Sequence, residues 1–250
     1  SNGRMEIGVG RGVSPFELNY HNFDPDTARA VYGEALEVLI EGMTHEKLSY
    51  EGKHFNYTDV PMELRPLQDP HPPLWYPSSN PEGSKYAGEN GFHYCTLGAV
   101  EMAKANIAAF SEAYAKRGGA VGAQRPFPGG AAIGISRQVT VGETDEEALK
   151  IAGPAYKVWH DSLTKLWREN NVEGPHFARN TVDTVETAIA GGVHIAGSPE
   201  TVREQLAKQI DALGVNYLVM AFNIGDMAHE DALRSITLFG EEVMPKLADL

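Results

Sequence analysis

The 250-residue sequence predicts an α/β fold built on a parallel β-sheet, and three features of the chain indicate it. Short apolar runs of strand length alternate with longer helical stretches along almost the whole sequence. Hydrophobic residues make up 42% of the chain and charged residues 22%, which is enough apolar material for a sizeable core. No internal repeat or low-complexity tract interrupts the alternation. We therefore expect a single domain over residues 1–250 with right-handed crossovers between its strands.

The first quarter of the chain begins with a strand, MEIGVGR, that ends among glycines. Residues 26–43 predict a helix, because apolar residues recur there at helical spacing. The face expected to point inward carries Val31, Ala35, Val38, Leu39 and Met43. Residues 47–60 contain two short strand-like runs with turn signals, so they predict a small hairpin outside the alternation of strands and helices.

The middle of the chain continues the alternation in regular steps. LWY predicts a short buried strand, and residues 81–90 predict a helix that stops at Gly91. FHYCTLG predicts the next strand, and residues 100–117 the next helix. AIGISRQVTVG then predicts a strand, followed by a helix whose first turn, TDEE, is acidic.

The last third is less regular until residue 197. A helix is expected through Trp159 and Trp167, followed by an irregular surface loop at residues 170–181. Ser198 caps a well-marked helix whose buried stripe is Val202, Leu206, Ile210 and Leu213. VNYLVMAF is nearly all apolar, so it predicts a strand covered on both faces. Residues 229–247 predict the last helix, with Leu233, Ile236, Val243 and Leu247 facing inward.

Composition and charge exclude several classes of function. The net charge of −13 is opposite to the basic surface that binding to nucleic acid requires, and it opposes attachment to an anionic membrane. No apolar run reaches the roughly 20 residues that cross a bilayer. Cys95 is the single cysteine, which excludes an intrachain disulfide and favours a cytoplasmic protein. Common dinucleotide, hydrolase and zinc motifs are absent, and we predict no metal site.

Two stretches suit a negatively charged ligand. Arg11 lies between Gly10 and Gly12 where the first strand ends, and a guanidinium there fits a phosphate group. Pairing of Arg11 with a carboxylate is the alternative role. After LWY, a polar turn leads into the helix that starts at Pro81, whose first backbone amides can bind an anion. The candidate residues of this turn are Ser78, Ser79, Asn80, Gly83 and Ser84. Plain capping of the helix by Ser79 or Asn80 explains the same pattern.

Six pieces of the chain, in their order, resemble the bacterial luciferase-like, flavin-dependent monooxygenases. They are GRMEIGVGRG, LIEGMTHEKLSYEGKHF, PHPPLWYPSSNPEGSKYAGENG, ETDEEA, GSPETV and EEVMP. The resemblance covers nearly the whole chain and rests on the ordered set rather than on one motif. It implies a (β/α)₈ barrel of the TIM type that binds reduced FMN, activates dioxygen at the flavin and oxygenates a small organic substrate.

The resemblance also implies roles for individual residues. Arg11, beside Gly10, takes the place of an arginine that lies near the flavin phosphate, and the turn of Ser78, Ser79, Asn80, Gly83 and Ser84 takes the place of a phosphate-contacting turn. Family members often carry hydroxyl residues where this chain has Asn80 and Gly83, so backbone amides would serve there. The substrate would be largely apolar, a separate flavin reductase would supply reduced FMN, and the protein would form homo-oligomers. Residues 171–196 would be a mobile lid inserted before the last βα unit.

In that family GRMEIGVGRG is the fourth barrel strand. We therefore expect about a hundred residues, with three βα units, to precede this chain, so that the barrel here is incomplete at its N-terminus. A catalytic histidine would lie in that preceding part, and no catalytic residue is predicted here. Three other functions stay open: a deazaflavin-dependent dehydrogenase of the same fold, a non-catalytic flavin-binding protein or fragment, and a metal-dependent barrel hydrolase.

Overall fold

The computed structural model describes residues 1–12, 14–24, 26–118, 130–172 and 184–248. A parallel sheet lies at its centre, and a separate antiparallel hairpin lies beside it. The sheet consists of β1 (Ile7–Gly8), β4 (Leu74–Pro77), β5 (His93–Thr96), β6 (Ile133–Val141), β7 (His194–Gly197) and β8 (Tyr217–Ala221). The hairpin consists of β2 (Lys47–Glu51) and β3 (Asn56–Pro61), as the sequence predicts.

Nine α-helices pack around this sheet within the described residues. They are α1 (Pro15–Tyr20), α2 (Ala28–Thr44), α3 (Pro81–Asn90), α4 (Val100–Arg117), α5 (Asp145–Glu169), α6 (Val185–Ala190), α7 (Pro199–Leu213), α8 (His229–Leu238) and α9 (Met244–Leu247). A π-helical turn, Phe239–Val243, joins α8 to α9. None of these helices has the length and apolar character that crossing a bilayer requires.

The strands run in the order β1, β4, β5 and β6, and β8 pairs with the other side of β6. Strands β5 and β7 pair with the same side of the long strand β6. Strand β5 pairs with its first half and β7 with its second half. All of these pairings are parallel. The result is the parallel-strand half-barrel of an α/β protein, which confirms the predicted fold class.

The strand β8 differs from its prediction. Its side chains alternate between covered and exposed, rather than being covered on both faces. Leu218 and Met220 pack against the helices, whereas Tyr217 and Val219 are 39% and 41% exposed on the concave side of the sheet. An all-apolar strand predicts burial on both faces, but here the helix-facing side chains are packed and those on the concave side stay about two-fifths exposed.

Two helices present a different face to the core from the one predicted. In α2 the core contacts come from Tyr32, Leu36, Ile40 and Met43, and the predicted Leu39 is exposed. In α8 the predicted Leu233 and Ile236 are also exposed, whereas Val243 and Leu247, predicted for the same helix, pack against the core beyond its end. The reason in α8 is polar, because the hydroxyl of Ser235 accepts a hydrogen bond of 2.8 Å from the backbone N–H of Val141 at the end of β6. That bond turns the Ser235 face toward the sheet.

The predicted lid at residues 171–196 falls into three parts. Residues 173–183, which hold most of the predicted loop, lie outside the described residues. Val185–Ala190 forms helix α6 and His194–Gly197 forms strand β7, which is buried in the sheet. These last residues therefore belong to the barrel and not to a lid. The sequence signal for a strand is weak there, because HIAG contains a single β-branched residue.

Helix α5 reaches from the segment after β8 to the segment after β1. Near its middle, a side chain on Gly225 would collide with the carbonyl oxygen of Ala155, so the loop after β8 lies directly on the helix backbone. In its last turn, the ring of Trp167 packs edge-on against Phe16 of α1 at a centroid distance of 5.9 Å. About 18 Å of helix separates these two contacts. Helix α5 therefore spans the carboxyl ends of the two edge strands of the sheet.

Candidate functional site

A cavity of about 800 Å³ opens at the carboxyl ends of β1 and β4 and continues between helices α2 and α3. Its position follows from the strand register, in which Gly8 pairs with Trp75. Arg11 follows Gly8 by three residues and Ser78 follows Trp75 by three, so the two segments leave the sheet side by side. Both segments line the cavity. The sheet thus brings together the two anion-binding stretches that the sequence predicts.

Arg11 lies in the wall of this cavity with an exposed side chain. It has no carboxylate partner within the described residues, so the alternative of a structural ion pair finds no support there. The neighbouring glycines leave room around it, because a Cβ on Gly10 would meet no atom within 4 Å. Gly12 has a φ of +85°, a conformation that glycine adopts without strain.

The turn after β4 holds itself together with its own polar groups. Asn80 is the N-cap of α3, and its side-chain oxygen accepts a bond of 2.9 Å from the Gly83 N–H. The Ser78 hydroxyl donates to the Asn80 carbonyl oxygen at 3.1 Å. Plain capping, the alternative for this turn, is therefore present, and it uses one of the amides expected to be free. The Ser79 hydroxyl has no hydrogen-bond partner in the described part of the chain, and Ser79 lines the cavity.

Gly83 is required by the close packing of the turn. A Cβ at this position would collide with the Ser78 hydroxyl oxygen and would lie 3.1 Å from the Ser78 Cβ. The place where the resemblance leads us to expect a hydroxyl side chain is thus occupied here by the hydroxyl of Ser78. This accounts for the departure from the expected pattern at Gly83.

Ser84 does not reach the cavity. Its side chain is fully buried, and its hydroxyl lies 2.7 Å from both the Asn80 carbonyl oxygen and the Tyr94 hydroxyl. Ser84 anchors α3 to β5 through these bonds. Of the seven predicted site residues, the cavity contains Gly10, Arg11, Ser78, Ser79, Asn80 and Gly83.

Arg29 is a cavity residue that the sequence reasoning missed. It lies in the first turn of α2, and its guanidinium pairs with the Glu82 carboxylate of α3 at 2.8 Å across the cavity. A positive side chain in the first turn of a helix opposes the helix dipole. This unfavourable placement is the sequence signal that could have identified Arg29, because it suggests that the charge serves a ligand or partner rather than the helix.

Tyrosine rings line the outer part of the cavity. Tyr76 lies between Tyr32 and Tyr86, with centroid distances of 6.2 and 5.3 Å. Burial raises the pKa of the Tyr76 phenol, while the positive charges of Arg29 and Arg11 oppose that rise. Both guanidiniums are therefore close enough to act on the same ring.

Neither the cysteine nor the metal-ligating side chains of the described residues form a reactive site. Burial raises the pKa of the half-buried Cys95 thiol to about 11, so this cysteine is a thiol at neutral pH and not a reactive thiolate. Among the residues that the structure describes, no three His, Cys, Asp or Glu side chains come together as a metal site would require.

The fold and the position of the cavity define a class of protein. It is an α/β protein of the parallel-barrel type, with its cavity at the carboxyl ends of the strands, where barrels of this type carry their active sites. The particular family is the luciferase-like monooxygenase family, and the chain belongs to it, because the sequence profile of that family matches residues 1–217.

Two relatives illustrate the similarity in sequence. Protein y4wF of Sinorhizobium fredii is 32% identical over 247 residues, which cover 99% of this chain and 70% of y4wF. The oxygenase component of the flavin-dependent trigonelline monooxygenase of Acinetobacter baylyi is 32% identical over 94 residues, covering 36% of this chain and 26% of that protein.

Solved structures share the fold at lower sequence identity. Monooxygenase RslO1 from Streptomyces bottropensis has a TM-score of 0.83 at 21% identity, over 99% of this chain and 70% of that one. The oxygenating constituent of 3,6-diketocamphane monooxygenase from Pseudomonas putida, solved in complex with FMN, has a TM-score of 0.72 at 21% identity, over 98% and 71%. An F420-dependent secondary alcohol dehydrogenase has a TM-score of 0.68 at 18% identity, over 97% and 69%.

Proposed function

We propose that this protein is a flavin-dependent monooxygenase that uses reduced FMN and dioxygen to oxidise a small, largely apolar organic substrate. The observation that carries the proposal is the convergence on one cavity of the polar turn that contains Ser79 and of Arg11, whose guanidinium pairs with no carboxylate of the described ranges. In this proposal the phosphate of the flavin lies between them. Membership of the luciferase-like monooxygenase family supports the same reaction class.

The residues present fit a phosphate group. Arg11 offers two parallel N–H donors for charge-assisted hydrogen bonds, and no carboxylate in the described residues competes for it. The Ser79 hydroxyl adds a donor from the other wall of the cavity. Arg29 is a second cation, at present shared with Glu82. Pro81 has no N–H and the Gly83 N–H is capped, so the Glu82 amide is the remaining donor of the first turn of α3.

The protein supplies binding, orientation and exclusion of water, while reduced flavin, when bound, supplies the electrons for the reduction of dioxygen. The concave side of the sheet offers apolar surface, since Leu97, which lines the cavity, and Val219 are 42% and 41% exposed and Cys95 is half-buried. This surface supports a largely apolar substrate. A separate flavin reductase would deliver the reduced flavin, in keeping with the Acinetobacter relative being an oxygenase component.

The proposal is tested by binding and by oxygen uptake. Under anaerobic conditions the protein should bind reduced FMN more tightly than reduced riboflavin, which lacks the phosphate. On admission of air, a panel of apolar ketones and aromatic compounds should contain a substrate whose product carries one atom of ¹⁸O from labelled dioxygen. Equal affinity for FMN and riboflavin would contradict the phosphate site.

A second candidate is a deazaflavin-dependent dehydrogenase, which the structural similarity to the F420-dependent alcohol dehydrogenase favours. Such an enzyme transfers hydride and consumes no dioxygen. Substrate oxidation that proceeds with F420 under strict exclusion of air, and that stops with FMN, would favour this candidate over the first.

A further inference from the structure

The ion pair between Arg29 and Glu82 lies inside the cavity proposed for the flavin phosphate. The Arg29 Nη1 is 2.8 Å from the Glu82 Oε2, and the two side chains come from different helices, α2 and α3. Both residues line the same cavity as Arg11 and Ser79. Any phosphate that binds between Arg11 and Ser79 therefore meets this pair.

The two charges of the pair have opposite relations to their own helices. Glu82 is in the first turn of α3, where a negative charge is favourable. Arg29 is in the first turn of α2, where a positive charge is unfavourable, and that turn contains no acidic residue to compensate it. Helix α2 therefore gains nothing from this cation, whose guanidinium is directed into the cavity instead.

The pair is weak enough to open. The side chains are 64% and 75% exposed, and an exposed ion pair contributes little to stability because water solvates both charges. A phosphate offers the planar guanidinium two parallel acceptors and carries more negative charge than one carboxylate. Arg29 can therefore leave Glu82 when a phosphate enters the cavity and return to it when the phosphate leaves.

The positive charge of Arg29 acts on the same part of the cavity as that of Arg11. Both charges oppose the rise in the pKa of the Tyr76 phenol. One ring thus lies within electrostatic range of two guanidiniums, of which one follows β1 and the other belongs to α2. A phosphate beside Arg11 and Tyr76 would lie within range of Arg29 as well.

Glu82 would meet this phosphate with two groups of opposite effect. Its backbone N–H is the donor that remains in the first turn of α3, and it would bind the phosphate. Its carboxyl group is ionised at neutral pH, because the hydrogen bond from Arg29 holds its pKa below the usual range, and this charge would repel the phosphate. The carboxylate and the phosphate therefore compete for one cation.

We propose that Glu82 is a built-in competitor of the flavin phosphate, which holds Arg29 in the free protein and takes it back as the flavin leaves. Arg29 is then a phosphate ligand in the bound state only. This inference rests on the proposed function, in which a separate reductase supplies reduced FMN and the spent flavin must dissociate after each turnover. The exchange at Arg29 sets how tightly FMN is held and how fast it leaves.

The test compares reduced FMN with reduced riboflavin, by anaerobic titration and by stopped-flow dissociation, on the whole protein and its variants. Glu82→Gln frees Arg29 before binding. It should therefore bind FMN about fivefold more tightly, the equivalent of one exposed ion pair, and release it more slowly. Arg29→Gln should bind FMN about tenfold more weakly, since a charge-assisted hydrogen bond is lost. Neither variant should change the affinity for riboflavin.

The double variant separates exchange at Arg29 from simple repulsion. In the Arg29→Gln background, Glu82→Gln should change the FMN affinity by less than about twofold. Glu112→Gln is the matched control, because Glu112 is an exposed carboxylate that pairs with Lys116 at 2.6 Å and does not line the cavity. Its FMN affinity should equal that of the native protein. Glu82→Ala is a second variant that removes the carboxylate, and thermal melts check that each variant folds.

Three results would overturn the inference. An FMN affinity that is unchanged in Glu82→Gln or in Arg29→Gln would show that the two side chains do not compete with the phosphate. A gain that persists in full without Arg29 would assign the effect to repulsion alone, and an equal gain in Glu112→Gln would assign it to net charge. In each case tighter binding of FMN than riboflavin would leave the proposed phosphate site standing. Equal binding of both flavins to the native protein would remove the phosphate site and the inference together.

Discussion

The rings of Trp75 and Tyr217 lie 4.8 Å apart, centroid to centroid, although β5 and β6 separate their strands in the sheet. Trp75 also packs against His93 of β5 at 5.0 Å. In a flat sheet, three strand spacings of about 4.8 Å would place β4 and β8 about 14 Å apart. The contact therefore indicates that the sheet curls around these rings. All three residues stand near the amino ends of their strands, which leaves the carboxyl ends to the cavity.

Trp75→Ala should lower the free energy of unfolding by about 2 kcal/mol, because it removes both ring contacts from the inside of the curl. Denaturant unfolding followed by circular dichroism measures this. Tyr20→Ala is the control, since Tyr20 is 70% exposed, and its effect should stay within about 0.5 kcal/mol. Equal stability of the Trp75 variant and the control would mean that the cluster does not hold the curl.

Arg11→Ala should weaken the binding of reduced FMN by about 1.5–3 kcal/mol, since it removes a charge-assisted hydrogen bond to the phosphate. The affinity for riboflavin should not change. Anaerobic titration measures both. Arg65→Ala, at an exposed ion pair with Glu46 that does not line the cavity, provides a control of equal charge change. If FMN binds to the Arg11 variant as it does to the native protein, Arg11 does not contact the phosphate.

Gly83→Ala should lower stability by about 1–3 kcal/mol, because the added methyl group collides with Ser78 in a tightly packed turn. FMN affinity should fall with it, as the turn shifts. Adding Ser78→Ala removes the nearer clashing atom and should restore part of both losses. Gly240→Ala is the control, since a Cβ there meets nothing within 4 Å. A double variant no better than Gly83→Ala would argue that the clash is not the cause.

The stability of the protein should fall as the pH falls from about 6.5 to 4, and His194 is the reason. Its ring is fully buried between Gln138 and Thr140, at 3.2 and 3.1 Å, and burial lowers the pKa of its imidazole to about 4. The unfolded chain binds a proton in this range and the native state does not, so unfolding becomes easier by up to about 3 kcal/mol.

The test is the slope of unfolding free energy against pH in this range. His194→Phe removes the titrating group and should flatten the slope, whatever its effect on stability at pH 7. His45→Asn, an exposed site paired with Glu41, should leave the slope as it is. A slope that survives in the His194 variant would assign the pH dependence to other groups.

Much of the fold could be predicted where local chemistry settles it. Helix α3 runs from Pro81 to Asn90 as expected, because proline starts it and Gly91 stops it with a φ of +71°. The stripe of α7 was also right, since Val202 and Leu206 belong to a single apolar face with polar residues around it. Helix α2 has two apolar faces, so spacing alone did not decide between Leu36 and Leu39.

The candidate site was predictable in part, where the connectivity of the strands determines it. Arg11 and Ser79 follow strands that must end at the same edge of a parallel sheet, so their approach was expected from connectivity. Ser84 was misplaced because a short helix of mixed polarity does not reveal which side faces the sheet, and its bond to Tyr94 comes from tertiary packing. Arg29 depends on how two helices lie side by side, which spacing along the chain does not encode.

The contact between Gly225 and the backbone of α5 couples the position of that helix to the loop after β8. No side chain fits at Gly225, so a substitution there would have to push the middle of α5 away from the barrel. The displacement would travel to Trp167 and from it to Phe16, which follows Arg11 by only five residues. We therefore expect a substitution at this distant glycine to register in flavin titrations as a change at the opposite edge of the sheet.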